Sequence, residues 1–331
     1  MRPPVDSSNR HRDTLAGYAA CPHWRDIQAF LPTPFQLSAG QEPMEEWWPW
    51  RQHHVHLDCY RNATAPLKVI LLHGVGTNGR QMSTILGAPL AKRGLETIAI
   101  DMPGYGMTRV GSGSPIQYQD WVEIASDLVN VELTRDDRPV VLYGLSAGGM
   151  ETYHVAALNR RVKGIVGMTF LDQRVPRVRD ETAKNLLTAR VGIPFVHVLA
   201  RTRLGNLKFP MAMAGKMSAL VNDREALRVL LADRTSAGAW VSLKFLSTYM
   251  SYEPAIELED FDVCPILLTQ PAEDRWSPWE LSELTLRRIG RVPVEVTILE
   301  GAGHYPLEEP GLGQMVDAVH KFCMNLLEVQ V

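Results

Sequence analysis

Ser146, Asp274 and His304 have the residue types, and the order along the chain, that can make an ordinary alcohol reactive. A serine hydroxyl is a poor nucleophile until a base takes its proton, and the usual base is an imidazole oriented by a carboxylate. Ser146 is the centre of Gly144-Leu145-Ser146-Ala147-Gly148, which interrupts an apolar run over 140–143 and leads into residues able to continue as a helix. Such a pattern predicts a strand entering a turn so tight that its central residue is strained. Glycines two positions to either side let strand and helix pass without collision. The turn lifts Oγ clear of the backbone and aims the next N–H groups, and the positive end of the helix, at any anion forming beside it. Asp274 follows an apolar run over 264–269, and His304 follows another over 294–299. Both fall where a parallel sheet presents its catalytic groups, at the carboxyl ends of strands.

Plainer readings stand beside these. Ser146 could mark only a glycine-rich turn, Asp274 a turn carboxylate or helix cap ahead of Pro278, and His304 a hydrogen-bonded loop histidine. Glu273 and Asp172 are rival acids. His73, at the start of the loop His73-Gly74-Val75-Gly76, and His154, on the helix after the elbow, read as structural, and Asp101 as the organiser of its own glycine-rich loop.

The elements that must position these residues alternate in type. Runs at 53–60, 67–72, 95–100, 140–144, 162–171, 264–269 and 294–299 read as strands, and 80–92, 118–133, the stretch after the elbow, the stretch up to 288 and 313–327 as helices. Strands apolar throughout, alternating with amphipathic helices, predict a parallel sheet covered on both faces. The rhythm breaks from 172 to 258, where 180–190, 210–221 and 224–231 read as helices forming an insertion over the sheet's carboxyl edge. Its methionines Met211, Met213 and Met217 suit an adaptable apolar pocket, or simply pack the insertion.

Composition excludes several classes. With 331 residues, a net charge of -3 and 45% hydrophobic residues, the chain has the core of a globular protein and no basic footprint for nucleic acid. No apolar run reaches the roughly 20 residues that span a bilayer. Residues 1–7 lack the apolar core of a secretion signal, and the scattered Cys21, Cys59, Cys264 and Cys323 read as free thiols, so a cytoplasmic location is expected. Residues 1–52 read as an extension packing on the core. Its tryptophans Trp47, Trp48 and Trp50 are buried by that packing or act as an interfacial anchor. His54 and His56 alternate on one predicted strand as metal ligands sometimes do, without a third ligand nearby. The loop at 73–76 lacks the lysine of a phosphate-binding loop.

The motifs His73-Gly74-Val75-Gly76, Asp101-x-Pro103-Gly104-x-Gly106, Gly144-x-Ser146-x-Gly148, Asp274-x-x-x-Pro278 and Gly301-x-Gly303-His304 together resemble those of α/β-hydrolase-fold serine hydrolases, over roughly residues 66–331. Within that group the chain resembles capped carboxylesterases and monoacylglycerol-lipase-like enzymes. One departure is Pro271, where the family commonly has glycine three residues before the acid. The resemblance implies a mostly parallel, doubly wound α/β sheet with a helical cap inserted after the sixth strand. The core would comprise 53–171 and 259–331, and the cap 172–258. It implies an ester hydrolase with Ser146 as nucleophile, His304 as base and Asp274 as its orienting acid. The N–H groups of Val75 and Ala147 would bind the oxyanion. Gly74, Leu145, Met211, Met213, Met217 and Trp276 would contact a small-molecule substrate. Neither metal nor organic cofactor is implied, and a homodimer is left open. The same triad would serve a transacylase or a carbon–carbon bond hydrolase, and the fold also serves ligand-binding proteins without turnover. Serine at the elbow argues against epoxide hydrolases and dehalogenases, which need aspartate there.

Overall fold

The computed structural model describes residues 17–113 and 115–328. The stretch 1–7 that bears on secretion lies outside the described residues. Eight strands form one sheet in the order β1-β2-β4-β3-β5-β6-β9-β10. These are β1 (Met44–Trp50), β2 (His53–Tyr60), β3 (Lys68–Leu72), β4 (Glu96–Ile100), β5 (Val140–Gly144), β6 (Gly164–Gly167), β9 (Ile266–Pro271) and β10 (Val294–Leu299). From β4 to β10 the pairing is parallel, while β1 and β2 are antiparallel. The central strands β3, β5 and β6 are buried at every position, as continuous apolar runs require when helices cover both faces.

The cap follows β6, the sixth strand, as expected. It carries the helices Pro176–Thr182, Ile193–Ala200, Arg224–Ala232 and Leu243–Met250, and a ribbon of β7 (Lys208–Pro210) with β8 (Trp240–Ser242). The helix expected over 210–221 is absent. Two short 3-10 turns, Met211–Met213 and Met217–Ala219, replace it. Tertiary partners claim this backbone: Met211 N–H donates to Ala239 O at 3.0 Å, and Ala214 O accepts from Lys184 N–H at 2.8 Å. The helix expected over 180–190 likewise ends at Thr182, and a separate turn spans Thr188–Gly192.

The N-terminal segment does more than pack on the core. The expected boundary at residue 52 falls inside the β1–β2 hairpin, where Trp50 pairs with His53. Trp47, Trp48 and Trp50 therefore belong to the sheet. Trp50 is buried and its indole donates to Asp127 Oδ2 at 2.7 Å, and Trp47 sets its ring against His56 with centroids 4.9 Å apart. Ahead of β1, Tyr18 and Trp24 are buried under the guanidinium of Arg80, 4.5 and 4.6 Å above their rings. Among the described residues no helix is long and apolar enough to cross a membrane.

Candidate active site

The elbow forms because its residues leave no other path. Ser146 sits at φ 56 and ψ -119, outside the common regions for an L-residue, between the end of β5 and the helix Ala147–Asn159. Gly144 is obligatory, since a Cβ there would run into the carbonyl of Gly148. The loop after β3 approaches the elbow just as closely: a Cβ on Gly74 would lie 2.6 Å from Leu145 O and 2.8 Å from Ser146 Cβ. Val75 is next in that loop and lines one small cavity with Ser146. Ala147 opens its helix, so its N–H has no carbonyl four residues back to receive it.

His73 anchors the loop. Its Nε2 accepts from Met102 N–H at 2.9 Å and its Nδ1 contacts Gly74 O at 2.9 Å, a pairing that requires the neutral Nδ1–H tautomer. Burial pushes its pKa down, which favours the same neutral form. Asp101 orders its own loop as expected, accepting from Gly79 N–H at 2.7 Å and Met107 N–H at 2.8 Å. His154 is also structural, with Nδ1 3.0 Å from the Tyr118 hydroxyl and a pKa pushed down to about 3 by burial.

The structure brings His304 to Asp274. His304 Nδ1 lies 2.8 Å from Asp274 Oδ2, and both side chains are buried. Asp274 Oδ1 also accepts the N–H groups of Trp276 and Ser277, each at 2.8 Å. Burial raises the Asp274 pKa, but the charge and hydrogen bond of His304 and these two N–H groups more than offset it and hold the carboxyl ionised. The other imidazole nitrogen, Nε2, is buried with no hydrogen-bond partner. Asp172 is engaged elsewhere, 3.0 Å from Arg174 Nη2 and 3.5 Å from Arg288 Nη1.

Ser277 is a site residue that motif reading passes over. Its Oγ donates to Asp274 Oδ2 at 2.9 Å and lies 3.0 Å from His304 Nδ1. The signal was Asp274-x-x-Ser277 just before Pro278, the spacing at which an aspartate caps its own turn.

The remaining expected contacts divide. Met211 and Trp276 line the cavity beside Ser146, along with Leu246, Tyr249 and Met250 of the cap. The Trp276 ring also lies against His304, centroids 4.8 Å apart, and its indole donates to Thr182 O at 2.9 Å. Met217 packs on the loop at Gly76 rather than on the cavity. Met213 is 58% exposed and faces a separate hollow with Val196 and Phe209. Gly74 and Leu145 shape the elbow from behind it and do not line the cavity. His54 is exposed while His56 is buried, so no shared metal face forms. Ligand atoms of Glu45, His56 and Asp58 do cluster within 4.8 Å. Arg80 already donates to both Asp58 oxygens at 2.6 and 2.9 Å, supplying the positive charge a metal would bring.

The cavity holds about 30 Å³, the share of roughly one water molecule. Pockets for small organic ligands run to about 300–1,000 Å³. As it stands, the cavity is narrow.

The alpha/beta hydrolase family matches residues 69–317. The chain belongs to that family. Among solved structures, a soluble variant of monoglyceride lipase from Saccharomyces cerevisiae is similar with a TM-score of 0.71 and 16% identity, over 89% of this chain and 98% of that one. Monoacylglycerol lipase from Paleococcus ferrophilus gives a TM-score of 0.61 and 19% identity, over 81% and 99%. Protein phosphatase methylesterase 1 from Mus musculus is 25% identical over 113 residues, 34% of this chain and 29% of that protein. The chain thus spans less than a third of the length of the curated relatives it matches.

Proposed function

We propose that this alpha/beta hydrolase cleaves carboxylic esters of small, largely apolar molecules through an acyl-enzyme on Ser146. His304 Nε2 takes the hydroxyl proton as Oγ attacks the ester carbonyl, and returns it to the leaving alcohol. Asp274 keeps the proton on Nδ1, so that Nε2 is the free base, and stabilises the imidazolium that forms. The N–H groups of Val75 and Ala147 receive the negative charge on the carbonyl oxygen, each donor worth about 3–4 kcal/mol in the transition state. Water then repeats the sequence on the acyl-enzyme and frees the acid. The observation that carries this reading is the buried, unpartnered Nε2 on an imidazole whose other nitrogen is held by an ionised carboxylate. The ester hydrolases among the similar proteins support it.

A fluorophosphonate probe tests it. Wild type becomes labelled, and Ser146→Ala abolishes labelling together with hydrolysis of p-nitrophenyl esters. Folded wild type that neither labels nor turns over any ester sinks the reading.

A further inference from the structure

One wall of the Ser146 cavity carries polar chemistry that a hydrocarbon chain does not use. Gln173 and Tyr249 line it together with the apolar Met211, Leu246 and Met250. Gln173 is only 6% exposed, and its Oε1 is buried without a hydrogen-bond partner. Its Nε2 is spent on the Tyr249 hydroxyl, at 3.4 Å. Outside the lining of this cavity, Glu151 on the helix that starts at the elbow is also fully buried, with neither carboxyl oxygen partnered. Burial raises its pKa.

A buried polar group left without a partner costs about 1–3 kcal/mol. Gln173 Oε1 on the lining of this cavity is therefore expensive, and leucine or methionine would fill the same space at no such cost. Native structures satisfy groups of this kind unless a water, an ion or a ligand completes them. What is missing is a donor. Gln173 Oε1 is an acceptor.

Granting the ester-hydrolase reading above, we propose that this wall is a polar subsite for a substrate hydroxyl. The O–H is donated to Gln173 Oε1, beside the Tyr249 hydroxyl. The enzyme's esters are then hydroxylated ones, with a hydrocarbon stretch against the methionine and leucine wall and an O–H on either the acyl or the alcohol part. A plain alkyl ester would enter the same cavity but leave that acceptor unpaired, and sites that hydrogen-bond a substrate O–H reject the analogue lacking it.

Two matched pairs test this and tell the two ends apart: p-nitrophenyl hexanoate against p-nitrophenyl 6-hydroxyhexanoate, and propyl hexanoate against its 2-hydroxypropyl counterpart. In wild type the hydroxylated member of one pair should lead in kcat/KM by about tenfold or more, and the pair that shows it identifies the end that enters the subsite. Gln173→Leu should reduce that ratio to within about twofold. Tyr249→Phe, which removes a single oxygen, should reduce it partly and guards against a misfolded Gln173 variant. Thermal melts confirm that each variant is folded. Equal rates within both pairs in wild type overturn the subsite while leaving ester hydrolysis standing, as does a preference that survives Gln173→Leu. Absence of turnover and of fluorophosphonate labelling overturns the ester reading itself, and the subsite with it.

Discussion

Ser277 Oγ stands between two partners, 2.9 Å from Asp274 Oδ2 and 3.0 Å from His304 Nδ1. It makes the imidazole's seat three-sided, so that the ring is held against rotation as well as paired. Under the proposed mechanism, Ser277→Ala should lower kcat on p-nitrophenyl esters by about tenfold with little change in KM, as expected for one hydrogen bond to a charged group. Asp274→Asn should cost about 10⁴-fold in kcat because it presents the wrong tautomer to Ser146. Asp172→Asn loses ion pairs to Arg174 and Arg288, so its effect belongs in a melting curve rather than in kcat. The order Ser146, Asp274, His304 could be read from the chain because strand-end positions are set by apolar runs on either side. Ser277 could not be singled out so easily, because a serine near a turn is common and its role depends on which ring folds over it.

At the level of elements, the loop 274–277 joins the cap to the core. Trp276 holds Thr182 by its indole N–H at 2.9 Å, and Lys216 Nζ donates to Arg275 O at 2.8 Å. Trp276→Phe keeps most of the ring surface and removes one bond of about 1 kcal/mol. Cap opening should become easier, and the kcat/KM ratio of dodecanoyl to acetyl ester should rise a fewfold over wild type. An unchanged ratio would mean that the cap opens elsewhere. The sheet was legible because β3, β5 and β9 are apolar runs buried on both faces, which few other structures accommodate. The cap was legible only as an interruption. The stretch 210–221 reads as helical, yet partners across the cap, Ala239 and Lys184 among them, draw the backbone into turns. Periodicity cannot weigh hydrogen bonds made by residues far away in the chain.

Over the whole molecule, the N-terminal segment is tied to the core through one buried charge network. Tyr18 Oη donates to Asp101 at 2.9 and 3.0 Å, Asp101 Oδ2 lies 2.8 Å from His56 Nδ1, and His56 Nε2 lies 2.8 Å from Glu45 Oε2. Tyr18→Phe should destabilise the fold by about 1.5–3 kcal/mol in urea denaturation, because the lost bond went to a charged acceptor. For His56, burial pulls the pKa down, but Asp101, Glu45 and Asp58 more than offset it and raise it from 6.5 to about 10. A pKa raised in the folded state gives stability that is complete below about 6.5 and disappears as pH climbs through about 10. The melting temperature should therefore fall across that window, and His56→Gln should flatten the slope. These partners come from four separate stretches of chain, so nothing in local sequence announced them. The strand over 53–60 could be read from the chain, but not the partners of His56.

A site that leaves space for about one water also decides how this enzyme should be crystallised with a bound compound. In a crystal the lattice would restrain the cap over Ser146 more than solution does, so soaking in an ester analogue is the harder route. The inhibitor belongs in the drop before nucleation, or on the protein beforehand as a covalent adduct.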